Sequence, residues 1–223
     1  MTRSFVIGIV GAESTGKTLL VEVLQARLAA AGHDAVGVHE ALREFCEREG
    51  RTPRADEQAG IAAEQSRRIE AAARRHAFVV ADTTALMIAV YSHFVFGDAS
   101  LYADAERDHR RCDLTILTAL DLAWQADGLQ RDGAHVREPV DALIRGALHR
   151  SATPYAVVSG SGACRSQSAW RGVRHVLGLR GNDSEAEPEP RPETGPGTWH
   201  LRCERCGDPD CERRLLVPAP LRA

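Results

Sequence analysis

The segment from Gly11 to Thr18 reads Gly-Ala-Glu-Ser-Thr-Gly-Lys-Thr, with two glycines five positions apart followed by lysine and threonine. Glycines at this spacing let the main chain curl so that successive N–H groups point at phosphate oxygens. The lysine can reach the β- and γ-phosphates of a nucleotide, and the hydroxyl after it is a Mg²⁺ ligand. The pattern predicts a loop that binds ATP with Mg²⁺, with Lys17 catalytic and Thr18 a metal ligand. The residues that we expect to contact the nucleotide are Gly11, Glu13, Ser14, Thr15, Gly16, Lys17 and Thr18.

A second acidic candidate lies far from this loop in the sequence. Asp82 directly follows the apolar run 78–81, so we expect it at the carboxyl end of a strand, where ligands bind in open α/β sheets. A carboxylate there can hold Mg²⁺ or accept the proton of an attacking hydroxyl. Asp82 is therefore a candidate catalytic, substrate-binding and Mg²⁺-binding residue. The alternative is that it only caps the helix that follows.

Three cysteines and a histidine lie close together near the end of the sequence. Cys203 and Cys206 are separated by two residues, which places two thiolates at the distance that a tetrahedral Zn²⁺ requires. Cys211 and His200 can complete a structural zinc site of three cysteines and one histidine. The alternative is a disordered tail with exposed thiols.

Five apolar runs rich in β-branched residues recur along the chain, with helical patterns between them. The predicted strands are residues 5–10, 35–38, 78–81, 114–117 and 155–158. Continuous rather than alternating apolar runs indicate strands that are covered on both faces, as in a parallel sheet. Helical patterns occupy residues 20–28, 54–75 and 138–149. The sequence therefore predicts an α/β fold with a doubly wound parallel sheet of about five strands, of the P-loop kinase type.

The composition changes after residue 180. Residues 181–198 contain four prolines and several acids but almost nothing apolar, which predicts a disordered, flexible linker. We therefore expect a P-loop ATP-binding domain over residues 1–180, this linker, and a small Cys-rich tail over residues 199–223.

Charge and hydropathy make two classes of partner unexpected. A formal net charge of −3 lacks the basic excess of nucleic-acid-binding proteins, so we predict no nucleic-acid partner. No run approaches the ~20 apolar residues that span a bilayer, so we predict no membrane partner. The apolar run 5–10 is too short for a signal peptide, and Glu13 and Lys17 interrupt its continuation, which favours a cytoplasmic location.

Several segments besides the loop resemble the ribosylnicotinamide kinase domain of NadR-type proteins and its relatives among AAA-type P-loop proteins. The agreement in order and spacing extends over about residues 4–178. The segments are residues 39–45 (His-Glu-Ala-Leu-Arg-Glu-Phe), 61–65 (Ile-Ala-Ala-Glu-Gln), 80–83 (Val-Ala-Asp-Thr), 112–115 (Cys-Asp-Leu-Thr), 121–129 (Asp-Leu-Ala-Trp-Gln-Ala-Asp-Gly-Leu) and 159–165. Beyond the loop, the most specific piece is Trp-x-x-Asp-Gly-Leu.

The resemblance implies transfer of the γ-phosphoryl group of ATP to a hydroxyl, which in that family is the ribose 5′-hydroxyl of nicotinamide riboside. It implies that the carboxylate of Asp82, after the third strand, is the general base. It also implies that Glu40 and Arg43 lie on the acceptor side. It also implies that Trp124 and Asp127 lie on a mobile lid over the nucleotide. Arg131 would be the catalytic lid arginine that stabilises charge on the transferring group.

The chain also departs from the family pattern. Gln130 separates Gly-Leu from the lid arginine, Ala123 replaces the lid proline, and Thr84 replaces the second acid of Asp-Thr-Asp. His39 and, roughly, Glu70 stand where aromatic side chains of the family stack on the pyridinium ring, and neither offers a large π face. The phosphoryl-transfer half of the site is therefore better supported than the nicotinamide half.

Two functions follow from these observations. The first is an ATP-dependent kinase for nicotinamide riboside or a similar nucleoside-like alcohol. The second is an ATPase switch or regulatory module of NAD metabolism without kinase activity, in which the ATP state controls a partner. Asp82 and the lid residues favour the kinase, whereas the altered aromatic positions and the Cys-rich tail leave room for the switch.

Overall fold

The computed structural model describes residues 3–125 and 134–178. Within these ranges, five parallel strands form one sheet in the order β2-β3-β1-β4-β5. The strands are β1 (Phe5–Val10), β2 (Ala35–Val38), β3 (Phe78–Asp82), β4 (Leu114–Thr118) and β5 (Ala156–Val158). The predicted five-stranded, doubly wound parallel sheet is confirmed, and each predicted strand differs from the observed one by no more than one residue at either end.

The described residues form seven α-helices around this sheet. They are α1 (Lys17–Ala30), α2 (Ala41–Glu49), α3 (Gln58–Ala73), α4 (Ala85–Phe96), α5 (Tyr102–His109), α6 (Arg137–Arg150) and α7 (Gly162–Leu177). Two 3₁₀ turns, Ala55–Glu57 and Ala134–Val136, lead into α3 and α6. None of these helices combines the length and the apolar content that crossing a membrane requires.

The central strand β1 is buried because helices cover it on both faces. Ile7 and Ile9 are fully buried in a cluster with α1 and α7, whereas Val10 belongs to a second cluster formed mainly by α4 and α6. Full burial of a side chain of this size contributes ~1.5–3 kcal/mol. The two apolar layers therefore fix the sheet, and with it the carboxyl ends of β1, β3 and β4 from which the site is built.

The helical patterns named above leave out α2, α5 and α7 as well as α4, and two of the differences from the structure have a clear physical cause. The helix predicted over residues 54–75 begins only at Gln58, because Arg54 is extended and its N–H donates to the Glu57 side chain at 2.7 Å. The second difference is α4, which the sequence analysis did not predict. Its residues Ala85–Val90 are all buried and apolar, since α4 packs against α3, α5 and α6. A helix that is apolar on every side lacks the amphipathic period by which helices are found in a sequence.

A buried histidine links three elements on the α4 side of the sheet. His109, at the end of α5, is 1% exposed, and its two ring nitrogens lie 2.9 Å from Thr84 Oγ1 and 3.0 Å from Thr115 Oγ1. A neutral imidazole has one donor and one acceptor nitrogen, and the two hydroxyl groups satisfy both. Burial lowers the pKa of His109 from its usual value of 6.5 to about 4, because the interior disfavours the charged ring.

We predict a pH-dependent stability that originates at His109. Between pH 6.5 and about 4 the unfolded chain binds a proton on this ring and the folded chain does not, so the free energy of unfolding decreases as the pH falls. The contribution approaches ~1.4 kcal/mol per pH unit. Urea unfolding at pH 7, 6 and 5 measures it, and His109→Gln is expected to flatten the slope.

The control for this experiment is His149→Gln, at an exposed position of α6, which should keep the wild-type slope. An NMR titration of the wild-type protein tests the same idea without a variant. A His109 ring that protonates with a midpoint above pH 6 would contradict it.

Candidate functional site

The loop between β1 and α1 has main-chain conformations that glycine permits and other residues rarely adopt. Gly11 has a φ of 153° and Gly16 a φ of 76°. A Cβ atom at Gly11 would lie 2.0 Å from Thr118 Oγ1, so a larger residue does not fit against the end of β4. Ser14 also has a positive φ, 54°. A non-glycine residue in this conformation costs on the order of 1–3 kcal/mol, and such strain is typical of ligand-binding loops.

Hydrogen bonds hold the inside of the loop in shape. The buried Thr15 hydroxyl donates to the carbonyl of Ala12 at 2.8 Å and accepts from Thr118 Oγ1 at 2.7 Å. Lys17 Nζ donates to the same Ala12 carbonyl at 2.8 Å. Lys17 is the only lysine among the 223 residues of the chain. The loop is therefore preorganised, with its ammonium group lying against its own main chain.

Asp82 lies next to this loop, as the sequence predicts. Parallel pairing places it opposite Ile9 on β1, and its Oδ2 accepts a hydrogen bond of 2.6 Å from the Thr18 hydroxyl. The side chain does not cap α4, because the residue that precedes this helix is Thr84. Asp82 is 2% exposed, and within the described residues its Oδ1 has no hydrogen-bond partner.

The pair of Thr18 and Asp82 suits a divalent cation. A buried carboxylate oxygen without a partner is costly unless a ligand satisfies it. A hydroxyl and a carboxylate 2.6 Å apart are oxygen donors of the kind that Mg²⁺ prefers beside nucleotide phosphates. The case for a Mg²⁺ site depends on Thr18 and Asp82 alone. The described residues contain no group of three or more His, Cys, Asp or Glu side chains arranged for a metal.

A cleft of about 820 Å³ opens in front of the loop. Its walls come from α2, α4 and the chain after β4, and both predicted acceptor-side residues lie on it. Outside the loop, the lining residues are Leu19, Glu40, Leu42, Arg43, Tyr91, Leu122, Ala123 and Gln125. Arg43 Nε lies 3.9 Å from Glu40 Oε2, which is a loose ion pair.

Gln65 fixes the position of Glu40. Its Oε1 accepts the N–H of Ala41 at 2.7 Å, and its Nε2 lies 3.4 Å from the carbonyl of Thr83. Gln65 is fully buried, so it ties the start of α2 to the residue after Asp82. The sequence resemblance includes Gln65 but gives no reason for it, and this bridge supplies one.

Glu13 is a further buried acid of the cleft. It is 7% exposed, it lines the cleft, and within the described part of the chain its Oε2 has no hydrogen-bond partner. Two carboxylates therefore have a buried oxygen without a partner: Glu13, which lines the cleft, and Asp82, which contacts the cleft residue Thr18. A ligand that donates hydrogen bonds or contributes positive charge would satisfy both.

Arg165 is a structural residue whose role the sequence does not reveal. It is 5% exposed on α7 and donates to the carbonyls of Thr15 (2.8 Å), Ala119 (3.1 Å) and Gly160 (2.8 Å). It also contacts Asp121 Oδ1 at 2.7 Å. Burial raises the pKa of Asp121, but the hydrogen bonds from Arg165 and from the Gly160 N–H outweigh it, and the net pKa lies below its usual value.

The remaining predicted residues fall partly outside the described ranges. Trp124 is half-buried with an indole N–H that has no partner in those ranges, and its neighbours Ala123 and Gln125 line the cleft. Two groups lie outside residues 3–125 and 134–178. They are Asp127 and Arg131 of the lid pattern, and His200, Cys203, Cys206 and Cys211 of the zinc pattern.

A second cavity, of about 1130 Å³, is lined by residues of α3, of the beginning of β1 and of the chain around the end of α5. Glu70, the rough counterpart of a family aromatic position, lines this cavity and not the cleft, and it forms an ion pair with Arg111. This cavity is larger than the cleft, but Lys17, Thr18 and the loop glycines are not among its lining residues. The cleft, and not this cavity, is therefore the candidate nucleotide site.

Solved structures with the same fold include two of NadR protein. One, in complex with NAD and AMP-PNP, is 19% identical to this chain with a TM-score of 0.62. The other, in complex with NR, is 20% identical with a TM-score of 0.64. Each match covers 79% of this chain and 50% of the NadR chain, so the chain spans about half the length of these proteins. At this level of identity, the likeness shows the fold.

Sequence comparison gives a broader assignment. No curated protein matches the chain. A family model described as an AAA domain matches residues 6–165, which includes the loop, Asp82 and Arg165. This match covers well over half of the 223 residues. The chain therefore belongs to this AAA domain family of P-loop proteins.

Proposed function

We propose that the chain binds ATP with Mg²⁺ in the cleft and transfers the γ-phosphoryl group to a hydroxyl of a small acceptor. The observation on which this proposal mainly rests is the 2.6 Å contact between Thr18 and Asp82 beside Lys17. It supports the proposal because a hydroxyl that could bind a metal and a buried carboxylate lie together next to the lysine of the proposed phosphate-binding loop. Membership of a P-loop family is consistent with it.

Each residue of the loop has a distinct part in this proposal. The main-chain N–H groups from Glu13 to Thr18 surround the phosphates, and Lys17 moves from the Ala12 carbonyl to the β- and γ-phosphates. Thr18 and Asp82 would hold Mg²⁺, which neutralises charge on the phosphates. The unpartnered Oδ1 of Asp82 is the candidate acceptor for the proton of the attacking hydroxyl.

The acceptor belongs on the side of the cleft that Glu40, Arg43 and Tyr91 line. A nucleoside-like alcohol suits this wall, since carboxylates accept hydrogen bonds from ribose hydroxyls and Tyr91 offers an aromatic surface. Nicotinamide riboside is the first candidate, because a NadR structure with the same fold was solved in complex with NR. Trp124, Asp127 and Arg131 complete the proposal on the nucleotide side, with Arg131 stabilising the transferring charge.

A second candidate function is an ATPase switch without an acceptor. The residue in the place of the family's second acid, Thr84, contacts His109 through its hydroxyl at 2.9 Å and lines the second cavity instead of the cleft. One acidic contact that a metal or substrate would receive is therefore missing. Under this alternative, the protein hydrolyses ATP at the same rate with and without an acceptor.

A panel of nucleosides and vitamin-like alcohols, including nicotinamide riboside, separates the two functions. Formation of ADP and of phosphorylated acceptor is followed for each compound with ATP and Mg²⁺. ADP formed together with one phosphorylated compound supports the kinase. ADP formed at an unchanged rate with every compound supports the switch.

We predict that Lys17→Ala weakens ATP binding and abolishes turnover, because the loop loses the ammonium group that faces the β- and γ-phosphates. Calorimetry with Mg²⁺ and AMP-PNP measures the affinity. Arg27→Ala is the matched control, since Arg27 lies in the last turn of the same helix, ~15 Å away along its axis. Equal affinity and turnover in Lys17→Ala and wild type would exclude this loop as the nucleotide site.

We predict that Asp82→Asn lowers turnover by at least about a hundredfold, the usual scale for losing a general base. Nucleotide binding should stay largely intact, because Lys17 and the loop N–H groups make most of the phosphate contacts. Asp104→Asn, at an exposed aspartate of α5, is the control and should behave as wild type. If Asp82→Asn turns over at the wild-type rate, Asp82 is not the general base and that role belongs to another residue.

We also propose that the purified full chain binds about one Zn²⁺ through Cys203, Cys206, Cys211 and His200. A reducing cytoplasm keeps such thiols free to act as ligands. Metal analysis of the full chain, purified without chelators, is compared with that of a chain ending at Gly181. Zinc in the full chain alone is the expected result. No zinc in either, or zinc in both, would show that these four residues do not form the site.

A further inference from the structure

The chain that follows β4 is held through its own carbonyl groups. Residues 119–125, here called the post-β4 segment, connect the end of β4 to the wall of the cleft. Side chains from three different elements donate to four of its carbonyls. The donors and acceptors are Arg165 to Ala119, Arg137 to Leu120 and to Leu122, and Ser14 to Gln125.

Arg137 is the residue that holds the middle of this segment. It is the first residue of α6 and is 7% exposed. Its Nη1 donates to the carbonyl of Leu122 at 2.8 Å and its Nη2 to the carbonyl of Leu120 at 3.0 Å. The planar guanidinium presents two donors in a fixed fork, so one side chain sets the positions of two carbonyls.

The charge of Arg137 is buried without an ion pair in the described residues. The ion pairs of α6 there are those of Arg145 and Arg150, which are 42% and 50% exposed. Burying a cation without a carboxylate partner is costly. Within the described residues, the guanidinium donates to the carbonyls of Leu120 and Leu122, both on the post-β4 segment.

The segment that Arg137 holds is in direct contact with the phosphate-binding loop. Leu122 Cδ1 comes within 3.3 Å of the place that a Cβ of Gly16 would occupy. The Gln125 carbonyl accepts the Ser14 hydroxyl at 2.7 Å. On the other side, Arg165 joins the Ala119 carbonyl to the Thr15 carbonyl. A shift of the segment would therefore move the loop that surrounds the phosphates.

We propose that Arg137 is a positioning residue that sets nucleotide affinity through the post-β4 segment. Its guanidinium fixes the positions of the Leu120 and Leu122 carbonyls. The segment fixed in this way keeps the loop and the cleft wall in the conformation that binds phosphates. This inference rests on the proposed binding of ATP with Mg²⁺ to the cleft.

The test measures the affinity of four proteins for Mg²⁺ and AMP-PNP by calorimetry, with the thermal unfolding of each. They are wild type, Arg137→Gln, Arg137→Lys and the control Arg145→Gln, which removes an exposed guanidinium from the same helix. Arg137→Gln is expected to bind at least about tenfold more weakly than wild type. Arg137→Lys keeps the charge but can reach only one carbonyl at a time, so its affinity for the nucleotide should be about threefold lower than that of wild type. Arg145→Gln should bind as wild type.

The outcomes separate this inference from the proposed function. Wild type that does not bind the nucleotide contradicts both. If wild type binds the nucleotide and both Arg137 variants are folded and bind it with the same affinity as wild type, the positioning role alone is overturned. This holds even if the melting temperatures of the variants fall. If Arg137→Gln does not fold, Arg137→Lys decides: affinity about threefold below wild type supports the inference, and affinity equal to wild type overturns it.

Discussion

The hydrogen bond between Thr18 and Asp82 depends on the parallel pairing of β1 with β3. These two strands are neighbours in the sheet although about 70 residues separate them, and their register places Ile9 opposite Asp82. Because both strands end at the same edge, a helix that starts after β1 presents its first hydroxyl to a carboxylate at the end of β3. The apolar layers on both faces prevent the strands from slipping. The chemistry of the cleft is thus a consequence of strand order and burial.

The loop and the acid next to it were predictable from the sequence because their signals are local. A glycine pattern between a strand and a helix, and an acid at the end of an apolar run, each occupy fewer than ten consecutive positions. The strands were predictable for the same reason. By contrast, Thr118, Arg137 and Arg165 act on residues whose contacts are set by the sheet order, and Thr118 and Arg165 reach across more than 100 positions to the loop. No periodicity or spacing reveals such partners.

Glu70, which the resemblance sets only roughly at the place of a family aromatic residue, shows the limits of alignment by spacing along a helix. Glu70 and Gln65 lie five residues apart on α3, so they point in different directions around its axis. Gln65 turns towards the site and Glu70 towards Arg111. Thr84 shows a related effect. It follows Asp82 by only two residues, yet its hydroxyl contacts His109, whereas Asp82 contacts Thr18 of the loop.

The presence of a single lysine in the chain has a practical consequence. Lys17 Nζ is the one side-chain amine that amine-directed reagents can modify in this sequence, and it lines the cleft, where it donates to the Ala12 carbonyl. Acylation of that one side chain therefore reports directly on whether the loop is occupied, with no background from surface lysines. The chain also contains 27 arginines, but guanidinium groups do not react with these reagents. Covalent nucleotide probes that acylate amines should therefore label few side chains other than Lys17.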